Sequence, residues 1–299
     1  MGTFLGDSSA SLLAIIAVRC VVGGYRRVSM TTAEPTMDPS PTLTVLGCRG
    51  SIPVSGPQFV RYGGNTTSFA LEHDGVALAF IDAGTGINAY RDHGLELAAK
   101  VDVFLTHYHW DHIQGISMLG EMWGRTHQVD VFGTGDLERN LTDAISPPVF
   151  PVSLAHQENV RYTAMDGSVS SGCMTLESFP LNHPGGAVGY RIEGPNRVIL
   201  VITDHETAQG ERFDPPSGGV DTVIYDAQYL PSEVAAHQGW GHSTWQDAVD
   251  FAQGIGAEAL VLTSHDPGRS DDDIDAMVEA ARAVFPETQA ARPGLALGL

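Results

Sequence analysis

The sequence predicts a layered α/β fold, and three observations predict it. Short runs rich in Val and Ile, bounded by Gly, Pro or Asp, recur from Leu43 onward, which is the pattern of buried strands. Helix-spaced segments alternate with those runs. Residues able to bind metal follow several of the apolar runs directly: His107 to His112 after Val101–Leu105, His183 after Phe179, Asp204 after Ile202 and His265 after Leu262. Ligands gathered on loops at the ends of strands mark one edge of the layers, where a site shared between two sheets would lie.

In chain order, strands are expected over Leu43–Leu46, Thr67–Leu71, Val76–Ile81, Val101–Leu105 and Val129–Phe132. Five more are expected over Met174–Phe179, Ala187–Ile192, Arg197–Ile202, Thr222–Tyr225 and Ala259–Leu262. Helices are expected over Ile87–Ala99, Ile113–Leu119, Asp136–Ala144, Thr244–Gln253 and Asp271–Val284. In the last, Asp271–Asp273 suit a helix N-terminus, Ile274, Met277, Val278 and Ala281 form an apolar stripe, and Pro286 stops it. Ser243 or Thr244 can cap the helix before it. Each half of the chain opens with hairpin-like strand pairs and passes to strand–helix alternation.

The chain has 299 residues, 42% of them apolar, enough for a sizeable core. Residues 1–41 differ from the rest. Their apolar run Leu12–Val18 is too short to span a bilayer. Asp7 precedes that run and Arg19, Arg26 and Arg27 follow it, the reverse of a secretory signal. Residues 31–41 read as a linker. The expected organisation is an N-terminal extension over 1–41, with Met30 a candidate start, a single domain over 42–290, and a C-terminal tail over 291–299.

The formal net charge is −20, with Lys100 the sole lysine. Such a surface repels phosphate backbones and anionic membranes, which argues against long nucleic acid and membranes as partners. A small anionic substrate remains compatible if cations sit in the site. The cysteines Cys20, Cys48 and Cys173 are odd in number and widely spaced. They predict no disulfide framework and a reducing, cytoplasmic location. Cys48 and Cys173 are expected to be small buried hydrophobes.

Thr106-His107-Tyr108-His109-Trp110-Asp111-His112 places four potential metal ligands within six residues. Imidazole and carboxylate suit zinc, with manganese or iron as alternatives. Four such side chains on one short loop reach two neighbouring ions more naturally than one, and paired ions are a hydrolase device.

The pattern His107-x-His109-x-Asp111-His112, followed by isolated His183, Asp204 and His265, resembles the metallo-β-lactamase-fold hydrolases over roughly residues 43–285. The resemblance implies a four-layer αββα sandwich with a dinuclear site between the sheets. It further implies that His107, His109 and His183 hold the first ion, that Asp111, His112 and His265 hold the second, and that Asp204 bridges. Asn182–Arg191, Tyr225–Tyr229 and Gly241–Thr244 are similar to segments of the ribonuclease Z-like phosphodiesterases, as are Gly47–Ser51, Gly63–Ser68 and Asp82–Gly86. In that group a carboxylate, here Asp226, orients a histidine, here His242. Two departures stand out. Tyr225 replaces the first histidine of one motif, and no long basic arm for transfer RNA is found. The region 141–151 is short and not basic. Relatives in that group often form homodimers.

Two ions sharing a water would bring its pKa from about 15.7 toward about 7 and neutralise a phosphodiester's charge. The leaving alkoxide then needs a proton. His242, its tautomer fixed by Asp226, is the candidate donor. A lactone, lactam or thioester hydrolase on the same fold needs that dyad less, and a non-catalytic metal-binding sensor does not need it at all. The predicted function is therefore a dinuclear phosphodiesterase acting on small phosphodiesters such as cyclic nucleotides, with Asp111, Asp226 and His242 as catalytic residues. Phe150 in the Pro-rich loop, Trp240 beside His242, and His205 are the candidate substrate contacts. Trp110 could join the same wall.

Overall fold

Successive side chains of a strand point to opposite faces, and in this chain both faces are apolar. Within Val76–Ile81, Ala79 and Ile81 enter one buried cluster while Ala77 and Phe80 enter another. Within Val198–Ile202, Ile199 and Val201 enter that first cluster, and Leu200 and Ile202 enter a third. Strands apolar on both faces must be covered on both sides, so layers follow.

The computed structural model describes residues 40–118, 127–207 and 215–299. The chain divides into Met1–Met37 and Asp38–Leu299. The expected N-terminal extension, Met30 and Cys20 lie outside the described residues, as does Leu119 at the end of one expected helix.

The first sheet holds β1 (Thr42–Gly47), β2 (Ser68–His73), β3 (Val76–Ile81), β4 (Glu96–Phe104), β5 (Gln128–Gly133), β6 (Val160–Ala164) and β14 (Ala296–Gly298). The second holds β7 (Ser168–Ser171), β8 (Met174–Leu181), β9 (Ala187–Glu193), β10 (Val198–Ile202), β11 (Thr222–Asp226), β12 (Ala259–Thr263) and β13 (Thr288–Ala290). Their orders are β14-β1-β2-β3-β4-β5-β6 and β13-β12-β11-β10-β9-β8-β7. In each sheet an antiparallel run leads into a parallel one: β3 to β6 are parallel in the first, β10 to β13 in the second. The parallel strands align their C-terminal ends at one edge, and the site is built there.

The inter-sheet core contains Val45, Phe69, Ile81, Phe104, Tyr190, Val201, Ile224 and Val261. Outside the first sheet, the 3₁₀ segment Thr85–His93 and α2 (Leu137–Ala144) bring in Ile87, Tyr90, Leu137 and Leu141. A shorter helix, α1 (Trp110–Ile113), precedes α2 in the chain. Outside the second sheet lie α3 (Trp245–Ile255) and α4 (Asp271–Arg282), with Ala248, Val249, Ile274, Met277, Val278 and Ala281 facing inward. The result is the four-layer αββα sandwich. Thr244 caps α3 and Ser270 caps α4. In each case the hydroxyl accepts from the amide three residues on, and the aspartate there accepts in return, a capping box at both starts.

Several expectations are corrected. The segment Ile87–Ala99 is not a helix. A 3₁₀ segment stops at Gly94, whose φ of 74° ends it, and β4 begins at Glu96 because its backbone pairs with β3. The expected tail 291–299 is part of the fold: β14 pairs with β1, and Leu299 is 1% exposed with its amide donating to Pro41 O at 2.8 Å. Strands β6, β7 and β13 were not expected. Cys48 is buried, but Cys173 is exposed at a hairpin turn. Among the described residues no helix is long and apolar enough to cross a membrane.

Candidate metal centre

The loop after β4 divides its ligands by local geometry. His107 and His109 lie two apart on extended chain, with His109 at ψ 152°, so both face one side. The chain then turns into α1, which carries Asp111 and His112 in its first turn. The second sheet supplies His183 just after β8 and Asp204 just after β10. Asp82, Asp204 and Ser264 follow strand ends with φ of 57°, 46° and 56°, left-handed backbone that turns each chain sharply at the edge.

Two groups of ligand atoms result. His107, His109, His183 and Asp204 form one, and Asp111, His112 and Asp204 form the other, with every ligand atom of a group within 4.8 Å of the rest. Asp204 belongs to both. Its Oδ2 lies 3.6 Å from His107 Nε2, 3.8 Å from His183 Nε2 and 3.2 Å from His112 Nε2. His112 Nε2 is also 3.3 Å from Asp111 Oδ2, and His183 Nε2 is 3.0 Å from His109 Nδ1. Donors about 2.1 Å from a tetrahedral ion stand about 3.4 Å apart, so these spacings fit ions held between them.

The tautomers fit as well. His112 Nδ1 donates to Asp82 Oδ2 at 2.7 Å, and His183 Nδ1 donates to Gly241 O at 2.8 Å. The Thr106 hydroxyl donates to Asp82, so it accepts from His107 Nδ1 at 3.0 Å. Each ring therefore commits its Nδ1 to a fixed partner and turns Nε2 into the site. His107 Nε2 and His112 Nε2 are buried without a hydrogen-bond partner. The buried carboxylates Asp82, Asp111, Asp204 and Asp226 form ion pairs only with histidine among the described residues. Buried imidazole nitrogens and carboxylates gathered this closely, with no Arg or Lys among their ion-pair partners, suit a cation held between them. The residues thus fit a divalent metal site.

His265 belongs to neither group. Its Nε2 donates to Ala291 O at 3.0 Å, so the ring is anchored to the strand end beside β13. Its Nδ1 is buried with no partner, and burial holds the imidazole neutral, down at about 4.

Around the ligands stands a layer of supports. Asp82, fully buried, accepts from Thr106 N at 2.8 Å, from the Thr106 hydroxyl, and from His112. Asp111 Oδ2 accepts from Ser51 N at 2.7 Å. Ser264 donates to Asp204 Oδ1 at 3.3 Å, leaving Oδ2 to the histidines. Gly241 lies so close that a Cβ there would sit 2.2 Å from His183 Nδ1.

Asp226, at the end of β11, is fully buried and His242 Nδ1 is 2.7 Å from its Oδ2. Burial pushes this carboxyl up, above the ordinary carboxylate range. The amides of His205 and Gln228, at 3.1 and 3.0 Å, and the His242 ring all donate to it and offset part of that rise. Burial also disfavours the imidazolium of His242, but Asp226 and Asp204 outweigh that cost and hold it at about 9. Asp226 and His242 form a third group with Asp204, again within 4.8 Å.

The candidate substrate contacts fare unequally. Trp240 is exposed beside His242. His205 is buried, and its Nδ1 accepts from Asn182 N at 3.1 Å, so it braces the loop before His183 instead of facing the rim. Phe150 packs half-buried against the outer core of the first sheet. The cleft of about 290 Å³ beside the metal groups is lined by His107, Tyr108, His109, Asn140, Asp143 and Pro184–Gly186. Asn140 and Asp143, on α2, carried no sequence signal, because exposed polar residues on a helix look alike. Asp82 was legible only as part of a glycine-rich segment, since its partners are 24 and 30 residues away.

Comparison with known proteins agrees with this geometry. A family described as the beta-lactamase superfamily domain matches residues 79–265. Ribonuclease Z of Gemmatimonas aurantiaca is 27% identical over 311 residues, covering 81% of this chain and 96% of that protein. Among solved structures, the metallo-β-lactamase-fold protein YhfI of Bacillus subtilis superposes with a TM-score of 0.65 at 18% identity, covering 86% of this chain and 99% of that one. A diphosphatase of the PhnP family gives a TM-score of 0.64 at 20% identity, covering 87% and 97%. Fold and site together define a metal-dependent hydrolase of the metallo-β-lactamase fold. The chain belongs to the beta-lactamase superfamily.

Proposed function

We propose that this protein is a dinuclear, zinc-dependent phosphodiesterase of the cytoplasm, acting on small phosphodiesters such as cyclic nucleotides. The observation that carries the reading is the Asp226–His242 pair, 2.7 Å apart and within 4.8 Å of Asp204. Relatives named ribonuclease Z and a structural neighbour named a diphosphatase support phosphate-ester chemistry.

In this reading His107, His109, His183 and Asp204 would hold one ion, and Asp111 and His112, with Asp204, would hold the other. His265, whose buried Nδ1 has no hydrogen-bond partner, is a further candidate for the latter set, although it lies in neither group. Bound divalent ions supply an acidified water and neutralise the phosphoryl oxygens. The chain's own residues do the rest. Asp226 takes the Nδ1–H of His242, so Nε2–H is the proton available. When the phosphorus–oxygen bond breaks, the leaving alkoxide takes that proton, and the oxygen from water remains on phosphorus. Asp82, Ser51, Ser264 and Gly241 fix the ligands beforehand, so little reorganisation accompanies the step.

The ribonuclease relatives favour a second reading, cleavage of RNA. The net charge of −20 opposes it, because affinity for long RNA rests on cationic side chains that displace counterions.

The test is His242→Ala on two classes of phosphodiester. An alkyl leaving group needs the proton, and its turnover should fall by about 10²–10⁴. A nitrophenyl leaving group departs as a stable anion and should lose far less. Equal turnover of the alkyl diester by variant and wild type contradicts the assignment.

A further inference from the structure

Among the described residues, Trp110 and Trp240 are the only aromatic side chains that are large, apolar and exposed, at 53% and 61%. Both sit beside the same imidazole. Trp110 follows His109, whose Nδ1 lies 3.0 Å from His183 Nε2. Trp240 precedes Gly241, whose carbonyl accepts from His183 Nδ1 at 2.8 Å. The residues that carry the two indoles are therefore chain neighbours of two groups bonded to one ring, that of His183.

Trp240 is held out by a rigid loop. Gly239 and Gly241 both adopt left-handed backbone, with φ of 82° and 86°. The carboxylate of Glu206 takes both their amides, each at 2.8 Å. Glu206 is tied in turn to the loop before His183, through Glu206 N to Asn182 O and Asn182 Nδ2 to Glu206 O. The indole meets the His237 ring edge-on at 5.0 Å, His237 stacks on Tyr229 at 4.3 Å, and Tyr229 abuts His242 at 5.8 Å. A line of rings thus runs from the proton donor to solvent, and its outermost member is exposed. Indoles carry a large apolar face that usually finds cover. This one is 61% exposed, with the His237 ring against it edge-on.

We propose that Trp240 is a stacking surface for a flat, aromatic part of the substrate's leaving group, a nucleobase being the chemistry that fits a phosphodiester. The inference rests on the phosphodiesterase reading and deepens it. Trp240 stands two residues from His242, which delivers its proton to the leaving oxygen, so the group beside Trp240 is on the leaving side. Stacking also needs no positive charge and tolerates any base, which suits an acidic chain.

The test compares binding of adenosine monophosphate and ribose 5-phosphate to the full-length, metal-quantified protein by titration calorimetry. These ligands share the sugar and the phosphate, so the ratio of their affinities isolates the base. Wild type should prefer the adenosine ester by about 5- to 150-fold, the range of one base–aromatic stack. Trp240→Phe should keep most of that preference. Trp240→Ala and Trp240→Leu should bring the ratio toward one, and Leu separates stacking from simple apolar contact. An undiminished preference in Trp240→Ala, or none in wild type, overturns the proposal. So does a Trp240→Ala variant that loses a dimer in sedimentation while keeping the preference, since a second copy then covers the indole. Wild-type turnover of a small alkyl phosphodiester keeps the two readings apart. Turnover without base preference overturns the stacking surface alone, whereas no turnover of any phosphodiester overturns the reading beneath it.

Discussion

Asp82→Asn should weaken one metal ion and spare the other. Asp82 is fully buried and accepts from Thr106 N at 2.8 Å, from the Thr106 hydroxyl and from His112 Nδ1 at 2.7 Å. Replacement by alanine strands three buried donors at about 1–3 kcal/mol each, against a total stability of about 5–15 kcal/mol, so that variant tests folding. Asparagine keeps the shape and the bond from Thr106 N. Its amide nitrogen, however, faces His112 Nδ1 and cannot accept from it. The imidazole must switch tautomer, which puts a proton on the Nε2 now aimed at Asp111 and Asp204, and a protonated nitrogen cannot ligate. Loss of such an outer support typically costs about 10–100-fold in metal affinity, or about 1.4–2.8 kcal/mol. Chelator competition with metal analysis should therefore show one ion per chain held as in wild type and the other weakened by that factor, with the circular dichroism spectrum unchanged. Two ions held at wild-type affinity by Asp82→Asn would refute the claim that Asp82 sets the tautomer of His112.

Further outcomes follow from the same contacts. His242 is held at about 9, above the ordinary value near 6.5. Its charge therefore stabilises the fold fully below about pH 6.5 and ceases to do so as pH rises through about 9. The rate constant kcat/KM should fall on the same alkaline side, at or below that pH because bound cations lower it, and Asp226→Asn should shift the fall to lower pH. The Cys48 thiol is pushed up to about 12 by burial, which Arg49 only partly offsets. Peptide mapping after alkylation of the native protein at pH 8 should find Cys173 labelled and Cys48 unlabelled, and early labelling of Cys48 would contradict its burial. Leu299→Ala should cost about 2–5 kcal/mol in denaturant unfolding, because Leu299 is 1% exposed; no change would mean that the C-terminus is not part of the folded core.

The strands that lie in the middle of each sheet were legible because both their faces are apolar. Val76–Ile81 announces itself as a run with nothing polar in it. The strands that escaped are edges or near-edges. Ser168–Ser171 is mostly polar, and Thr288–Ala290 and Ala296–Gly298 have three residues each, so pairing alone makes them strands. Ile87–Ala99 misled because Ile87 and Tyr90 have helical spacing. That spacing serves a single 3₁₀ segment, and the partner strand β3 then claims the rest, tertiary pairing overriding local preference. In the site, closely spaced candidate ligands such as His107–His112 are legible as a cluster and long-range supports are not. Asp82, Glu206 and Ser264 act through residues 24 or more positions away, which a single sequence does not connect. His265 shows the converse: its place after an apolar strand was read correctly, but the bond to Ala291 that turns its ring was beyond reach.

The central claim is that the paired groups around Asp204 serve phosphodiester hydrolysis. The most direct test is steady-state turnover of cyclic nucleotides and dinucleotides by protein titrated with zinc, beside a lactone and a thioester. The account predicts phosphodiester hydrolysis that rises with metal to two equivalents per chain and exceeds turnover of the other esters. Protein that holds two ions yet leaves every phosphodiester intact, or prefers the lactone or thioester, would contradict it.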